Sequence, residues 1–370
     1  MKILQIIPSL AKGGAERIVL DTCIELSQRE GVEVKLVTFH EANAYSFLSE
    51  KVNYEKVKSS VIPSLKGRNV SDVEKLQELI NDFQPDIIHS HLFESEMVLS
   101  QIDFKKAKHI VHFHDNMIQF KKIKVHKKIN KQSITNWYER KMVVKAYKKR
   151  ETRFIAISKD TEKYIHKNLP SSFQTQLLHN AINTSVFNTS VSAPRENRMV
   201  IIGSLVDKKG QSLAIETVAN LKQNGFSIQL DILGDGKNKT SLQKQITKLN
   251  LAEQVILHGN VDHPEEFLKR AKIYLHTAIY EPFGLVLLEA MSAGLPIVCT
   301  DAGGNRDIIE HGKNGYIFQD RNPEQLANQI IELLENEPKR QEIGQYAQNY
   351  AKNYDIKNYV DRLLEIYDRQ

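Results

Sequence analysis

Glu281 and Glu289 stand with seven residues between them in Tyr280-Glu281-Pro282-Phe283-Gly284-Leu285-Val286-Leu287-Leu288-Glu289-Ala290-Met291-Ser292-Ala293-Gly294. Carboxylates at that spacing are not i, i+4 neighbours on a helix face, so they must meet different parts of one extended ligand. Each can accept hydrogen bonds from vicinal hydroxyls, which suits a sugar at one end and a ribose at the other. Pro282 fits a helix start and Gly294 its stop, leaving the backbone N–H groups of Phe283, Gly284 and Leu285 to hold an anion, such as a diphosphate, between them. Glu281 in isolation reads equally well as a helix cap. Glu289, inside an otherwise apolar helix, is harder to explain structurally.

Other residues extend this chemistry. Gly13-Gly14 allows close approach of the first strand-to-helix turn to a phosphate or sugar, although two glycines do not make the GxGxxG dinucleotide fingerprint. Lys209, in Gly203-Ser204-Leu205-Val206-Asp207-Lys208-Lys209-Gly210, is a cation beside a glycine turn. Gly234-Asp235-Gly236 and His258-Gly259-Asn260-Val261 each follow an apolar run and read as turns at a sheet edge. His89, His91, His112 and His114 invite a metal reading, but no carboxylate or thiol completes a diagnostic ligand spacing and no Asp-x-Asp triple occurs. We therefore expect no metal requirement.

These residues need a scaffold that gathers strand ends. Strand-like runs at 3–7, 32–39, 87–90, 109–114 and 154–157 alternate with helical patterns at 15–28 and 134–149. The pattern lapses into Ser, Thr and Asn between 183 and 197, and a second series follows. It has strands at 200–202, 228–233, 255–257, 273–276 and 297–299, with helices at 212–222 and 240–249. Two doubly wound α/β domains are expected, at 1–190 and 191–354, with a last helix over 355–370 packing back on the first.

Composition narrows the class. At 370 residues, 41% hydrophobic and 26% charged, the chain can fill two ordinary cores, which excludes a disordered or disulfide-scaffolded protein. Cys23 and Cys299 lie among apolar neighbours and read as free thiols of a reducing compartment. Neither a secretory signal nor a membrane-spanning run is evident, so a cytoplasmic location is expected, with any membrane role peripheral. The net charge of +6 conceals residues 105–150, which carry fifteen Lys/Arg against Asp115 and Glu139. That segment is +13 and the remainder −7. Loose alternation of lysine with Ile123, Val125 and Ile129, followed by Trp137, suits an anionic membrane surface. Nucleic acid is not expected, because no helix-turn-helix, RNP or zinc pattern accompanies the charge.

Across nearly the whole chain these motifs resemble glycosyltransferase family 4, whose fold is GT-B, two Rossmann-like domains facing each other across a cleft. The resemblance is carried by the Glu281/Glu289 pair, Gly294-Leu295-Pro296-Ile297-Val298, Asp301-Ala302-Gly303-Gly304, Asn314-Gly315, Gly13-Gly14-Ala15-Glu16, His114-Asp115 and Asn180-Ala181-Ile182-Asn183. It implies a retaining hexosyl transfer from a nucleotide diphosphate sugar to an acceptor hydroxyl in polysaccharide or lipopolysaccharide synthesis, with a UDP-sugar as donor. Glu281 would position the donor sugar, Glu289 the ribose, and Lys209 with the amides of Phe283, Gly284 and Leu285 the diphosphate. His114 would lie near the reacting carbon, with Gly13, Gly14, Ser204, Gly234 and Val261 also lining the donor. The arginine usual at position 204 is Ser204 here, which removes a bidentate donor. That departure keeps open a non-catalytic nucleotide-sugar-binding partner; an epimerase of the same fold is the other alternative.

Overall fold

A computed structural model describes residues 1–64, 69–104, 106–122 and 130–368. The chain forms two compact units, Met1–Asn180 with Tyr359–Gln370, and Ala181–Asn358. The first unit contains β1 (Lys2–Ile6), β2 (Glu33–Thr38), β3 (Tyr54–Lys56), β4 (Ser60–Ile62), β5 (Val70–Asp72), β6 (Ile87–His91), β7 (Lys108–Phe113), β8 (Thr152–Ala156) and β9 (Thr175–Leu177). Its main sheet runs β3-β2-β1-β6-β7-β8-β9, all parallel, with β4 and β5 as a separate antiparallel pair. The inner strands are buried, and their apolar side chains pack under the covering helices, while Gln5, His89, Ser90, His91, His109 and His112 are buried polar residues on the same strands. Leu4, Ile6, Val37 and Ile88 pack with Leu76, Ile80 and Val98 from helices, and Val111, Phe113 and Phe154 pack with Val143 and Tyr147.

The second unit has β10 (Arg198–Ile202), β11 (Gln229–Leu233), β12 (Val255–Gly259), β13 (Ile273–His276), β14 (Ile297–Thr300) and β15 (Gly315–Phe318). They form one parallel sheet ordered β12-β11-β10-β13-β14-β15. In both sheets the strand order turns outward in opposite directions from a central pair, β1/β6 and β10/β13. In such sheets the carboxyl ends beside that switch point leave a crevice that connections do not cover. Each candidate site residue lies near such an edge or follows it.

The division falls at Asn180, not at 190. Residues 181–190 pack on the second unit: Ile182 is bridged to Asp355, Thr184 Oγ1 donates to Asp355 Oδ2 at 2.5 Å, and Ser292 Oγ donates to the Thr184 carbonyl at 3.0 Å. The basic helix starts at Lys131, three residues before its apolar periodicity, because Asn130 accepts from Ser133 N at its cap. The lysine and aliphatic alternation at 123–129 lies outside the described residues.

The helix Ile356–Asp368 returns the chain to the first unit, burying Val360, Leu363, Ile366 and Tyr367, with Asp361 paired to Arg29 at 2.9 Å. Truncation after Asn358 should therefore destabilise the first unit. Differential scanning calorimetry should show its transition lowered by more than 10 °C or lost, since at least four buried apolar side chains go, at about 2–5 kcal/mol each. An unchanged transition would contradict this packing.

Candidate active site

In the second unit the site is built at the ends of β10 and β13. After β10, a single turn over Asp207–Lys209 ends at Gly210, whose φ is +65°. A Cβ there would stand 2.1 Å from the Thr277 carbonyl oxygen, so only glycine permits this approach. Thr277 Oγ1 donates to the Gly210 carbonyl at 2.9 Å, and the Lys208 carbonyl accepts from Ile279 N at 2.8 Å. The loop is thereby pinned to the segment after β13, which sets Lys209 Nζ 2.6 Å from Glu281 Oε2. Glu281 is 7% exposed and Lys209 is half-buried. A buried carboxylate so placed needs that cation.

The Glu281 backbone is fixed as firmly as its side chain. Its N–H donates to the Ala302 carbonyl at 2.8 Å and its carbonyl accepts from Gly304 N at 2.9 Å. A Cβ on Gly304 would fall 1.9 Å from the Pro282 carbonyl, which accounts for glycine in Ala302-Gly303-Gly304. Arg321 Nη1 donates to the carbonyls of Thr277 and Ala278 at 2.9 and 3.1 Å, holding the same segment from the other side.

The helix begins later than Pro282 suggests. It spans Leu285–Ser292 with Gly284, at φ +105°, as its N-cap, so Phe283 and Gly284 belong to the preceding loop. The positive end of the dipole therefore centres on the N–H groups of Leu285 and Val286, because Leu287 N already donates to the Gly284 carbonyl at 2.9 Å. Glu289 lies one turn inside, not two, and is half-buried. Burial above all, with smaller contributions from the charges of Glu289 and Glu281, pushes the Tyr274 phenol far up, and the hydrogen bond between its hydroxyl and the Ile202 backbone opposes that shift.

His276, at the end of β13, is a residue the motif reading missed. Its Nε2 lies 3.5 Å from Glu281 Oε2 without hydrogen-bond alignment, and burial pushes its pKa down to about 4. The contact is therefore between a carboxylate and a neutral ring. The available signal was a histidine ending an otherwise apolar strand, Ile273-Tyr274-Leu275-His276.

Ser204 is exposed directly after Gly203, and its carbonyl accepts from Gln211 Nε2 at 3.0 Å. Gly234 N donates to the Gly259 carbonyl at 2.7 Å, tying the ends of β11 and β12, and Val261 lies just beyond β12 on the same edge. Lys209 and Glu281 are thus in contact, while Ser204, Gly234 and Val261 follow the ends of β10, β11 and β12 and Glu289 lies inside the helix Leu285–Ser292.

In the first unit, Gly14 opens the helix Gly14–Leu26 and Gly13 is its N-cap with an extended backbone. The Tyr45 hydroxyl accepts from Gly13 N at 3.1 Å and donates to the Gly13 carbonyl at 3.0 Å. Burial raises the nearby Glu16 carboxyl. His114 follows β7 and is 8% exposed. In register, Gln5 pairs with His89 and His91 with His112, so alternation places these side chains on one sheet face. Ring nitrogens of His89, His91 and His112 come within 4.8 Å of one another, close enough to offer a metal three ligands. In this arrangement they are engaged with neighbours, His89 Nε2 with His112 Nδ1 at 3.2 Å and His91 Nδ1 with His114 Nε2 at 2.8 Å.

The two parallel-sheet units, each with candidate residues at its switch point, define a Rossmann-like, GT-B type architecture. Residues 12–186 match the family model "Glycosyltransferase Family 4" and residues 184–350 match "Glycosyl transferases group 1". Each model matches just under half of the chain, and together these two glycosyltransferase models span residues 12–350. It is 31% identical over 173 residues to the poly(glycerol-phosphate) alpha-glucosyltransferase of Bacillus subtilis (strain 168), covering 46% of this chain and 26% of that protein. It is 30% identical over 169 residues to the poly(ribitol-phosphate) alpha-N-acetylglucosaminyltransferase of Staphylococcus aureus (strain COL), covering 45% and 34%. These alignments thus span about a quarter to a third of the curated relatives' length. The crystal structure of Anabaena Alr3699/HepE in complex with UDP and glucose shares the fold, with a TM-score of 0.79, 22% identity and 100% coverage of both chains.

The buried histidines give the first unit a defined acid response. Burial holds His109 and His114 at about 3 and His89, His91 and His112 well below the usual value. Their folded pKa lies under the unfolded one, so their stabilisation is present above about pH 6.5 and is lost as pH falls toward 3. Glu96, which burial raises to about 7, opposes this between pH 7 and 4.5 with a single proton. Each histidine contributes up to about 1.4 kcal/mol per pH unit, so Tm should drop steeply between pH 6.5 and 5. A flat profile across that range would contradict neutral burial of the cluster.

Proposed function

We propose that the chain is a retaining, metal-independent hexosyltransferase that takes its sugar from a UDP-sugar and serves cell-envelope glycan synthesis. The observation that carries this reading is the 2.6 Å contact between Lys209 and Glu281 at the β10/β13 switch point, beside the first turn of the Leu285–Ser292 helix. A leaving diphosphate needs a cation and N–H donors where its charge develops. Lys209 and the first-turn amides of that helix supply both, Glu281 accepts from donor-sugar hydroxyls, and Glu289 accepts from the ribose. Lys209 changes partner when the donor arrives, from the carboxylate alone to carboxylate and phosphate together.

The acceptor hydroxyl attacks the anomeric carbon from the face the diphosphate leaves. The carbon–phosphate-oxygen bond breaks with its electron pair on the diphosphate, the new carbon–oxygen bond forms, and the acceptor proton passes to the departing phosphate oxygen. With Ser204 in place of arginine, phosphate binding rests more heavily on Lys209, and exposed Lys208 stands next to it. The acceptors in the relatives' names, polymers of glycerol phosphate and ribitol phosphate, support a cell-envelope or lipid-linked acceptor here.

The donor is tested by a thermal-shift panel of UDP, GDP, ADP and their sugar conjugates on wild type and Glu289→Ala. UDP compounds at about 100 times Kd should stabilise the wild type by about 2.7 kcal/mol, with the shift reduced or lost in the variant. A response confined to GDP or ADP, or equal shifts in both proteins, would contradict the assignment.

The basic helix Lys131–Tyr147 supports a peripheral membrane role. Trp137 is 48% exposed and Ile134 41% exposed, with Lys141 Nζ 5.4 Å over the indole. No helix among the described residues is long and apolar enough to cross a membrane. Cosedimentation with phosphatidylglycerol-containing vesicles, weakened by salt and by Trp137→Ser, is the expected result. Equal association with purely zwitterionic vesicles would contradict it.

A further inference from the structure

Two chains of hydrogen bonds on the polar face of the first sheet begin at one amide. Gln5 is 1% exposed; its Oε1 lies 2.7 Å from His91 Nε2 and its Nε2 donates to the Tyr367 hydroxyl at 3.1 Å. An amide oxygen only accepts, so His91 carries its proton on Nε2. Burial keeps that ring neutral, so its Nδ1 retains a lone pair. His114 Nε2, 2.8 Å away, must donate to it. A neutral imidazole protonated at Nε2 is bare at Nδ1, and His114 Nδ1 is buried without a hydrogen-bond partner.

The second branch runs the same way. The Tyr367 hydroxyl, already accepting from Gln5, donates to His89 Nδ1 at 2.6 Å, and His89 Nε2 donates to His112 Nδ1 at 3.2 Å. One amide orientation on β1 thus sets the tautomers of four histidines on β6 and at the end of β7.

We propose that Gln5, acting through His91, is a positioning residue that fixes His114 with its proton on Nε2, leaving Nδ1 beyond β7 to accept a hydrogen bond from a ligand hydroxyl. The proposal rests on the sugar-transfer reading for the ligand's class. A hydroxyl brings the proton that Nδ1 lacks, whereas a phosphate or carbonyl oxygen presents a lone pair against a lone pair. The relay therefore selects for the sugar and against misplaced phosphate at this point.

The test is NMR of the full chain with 15N-labelled histidine, comparing wild type, Gln5→Met and Gln5→Glu. Methionine keeps the length but removes both polar atoms; glutamate keeps the acceptor for His91. We expect an unprotonated His114 Nδ1 in wild type and Gln5→Glu, and mixed tautomers at His91 and His114 in Gln5→Met. UDP release from UDP-glucose should fall about tenfold in kcat in Gln5→Met, with KM little changed, and recover in Gln5→Glu. A proton on His114 Nδ1 in wild type, or an unchanged tautomer in Gln5→Met, overturns the proposal. So does a stoichiometric transition metal seated on His89, His91 and His112. Tautomers that follow Gln5 without UDP-glucose turnover in any form would uphold the relay and reject the sugar-transfer reading.

Discussion

A carboxylate that is 7% exposed must have a cation, and for Glu281 that cation is Lys209. Breaking such a pair by removing one partner strands a buried charge, which costs about 3–5 kcal/mol, so its geometry is held tightly. Gly210 brings the Lys209 turn against β13, Gly304 brings the loop after β14 against Pro282, and Arg321 braces the carbonyls between. Each of these contacts places one of the two charges. The same pair leaves a cation and a carboxylate at a sheet edge where the adjacent helix has unbonded amides, a combination suited to a ligand carrying both phosphate and hydroxyls.

The first unit solves a different problem by a related means. Its sheet buries five histidines and a glutamine where apolar residues would pack more simply. They are tolerated because most of their polar atoms bond one another, and because the rings stay neutral. Three ring nitrogens are left over, His109 Nδ1, His112 Nε2 and His114 Nδ1, and the last two mark where the chains from Gln5 end. A polar seam of this kind gives up stability at acid pH and in exchange fixes ring orientation and tautomer.

Much of this was legible in the sequence because parallel strands are apolar runs and their ends carry glycine. Ten of the fifteen strands among the described residues coincide with these runs to within two residues, whereas the short β3, β4, β5, β9 and β15 carry too few apolar residues to stand out. The helices Pro323–Glu335 and Glu337–Ala351 were passed over, although Asn322 and Asn336 before nearby prolines are capping signals that were there to be used. The unit boundary was placed ten residues late because composition marks the polar stretch, whereas contacts to Asp355 and Ser292 decide which side 181–190 joins. Pro282 misled the helix start, since the left-handed Gly284 must come before the first turn. Lys209 and Glu281 were each singled out, but their contact is a tertiary fact that no spacing of seventy-odd residues encodes. His276 and Gln5 became visible only once the sheet set their neighbours.

The central claim is that the edge formed by β10 and β13 holds a nucleoside diphosphate through Lys209, the amides after Gly284 and Glu289. The most direct measurement is a crystal structure of the full chain with UDP bound. The account predicts the diphosphate against Lys209 Nζ and the first turn from Leu285, and ribose hydroxyls on Glu289. UDP bound elsewhere, with Lys209 still paired only to Glu281, would contradict it.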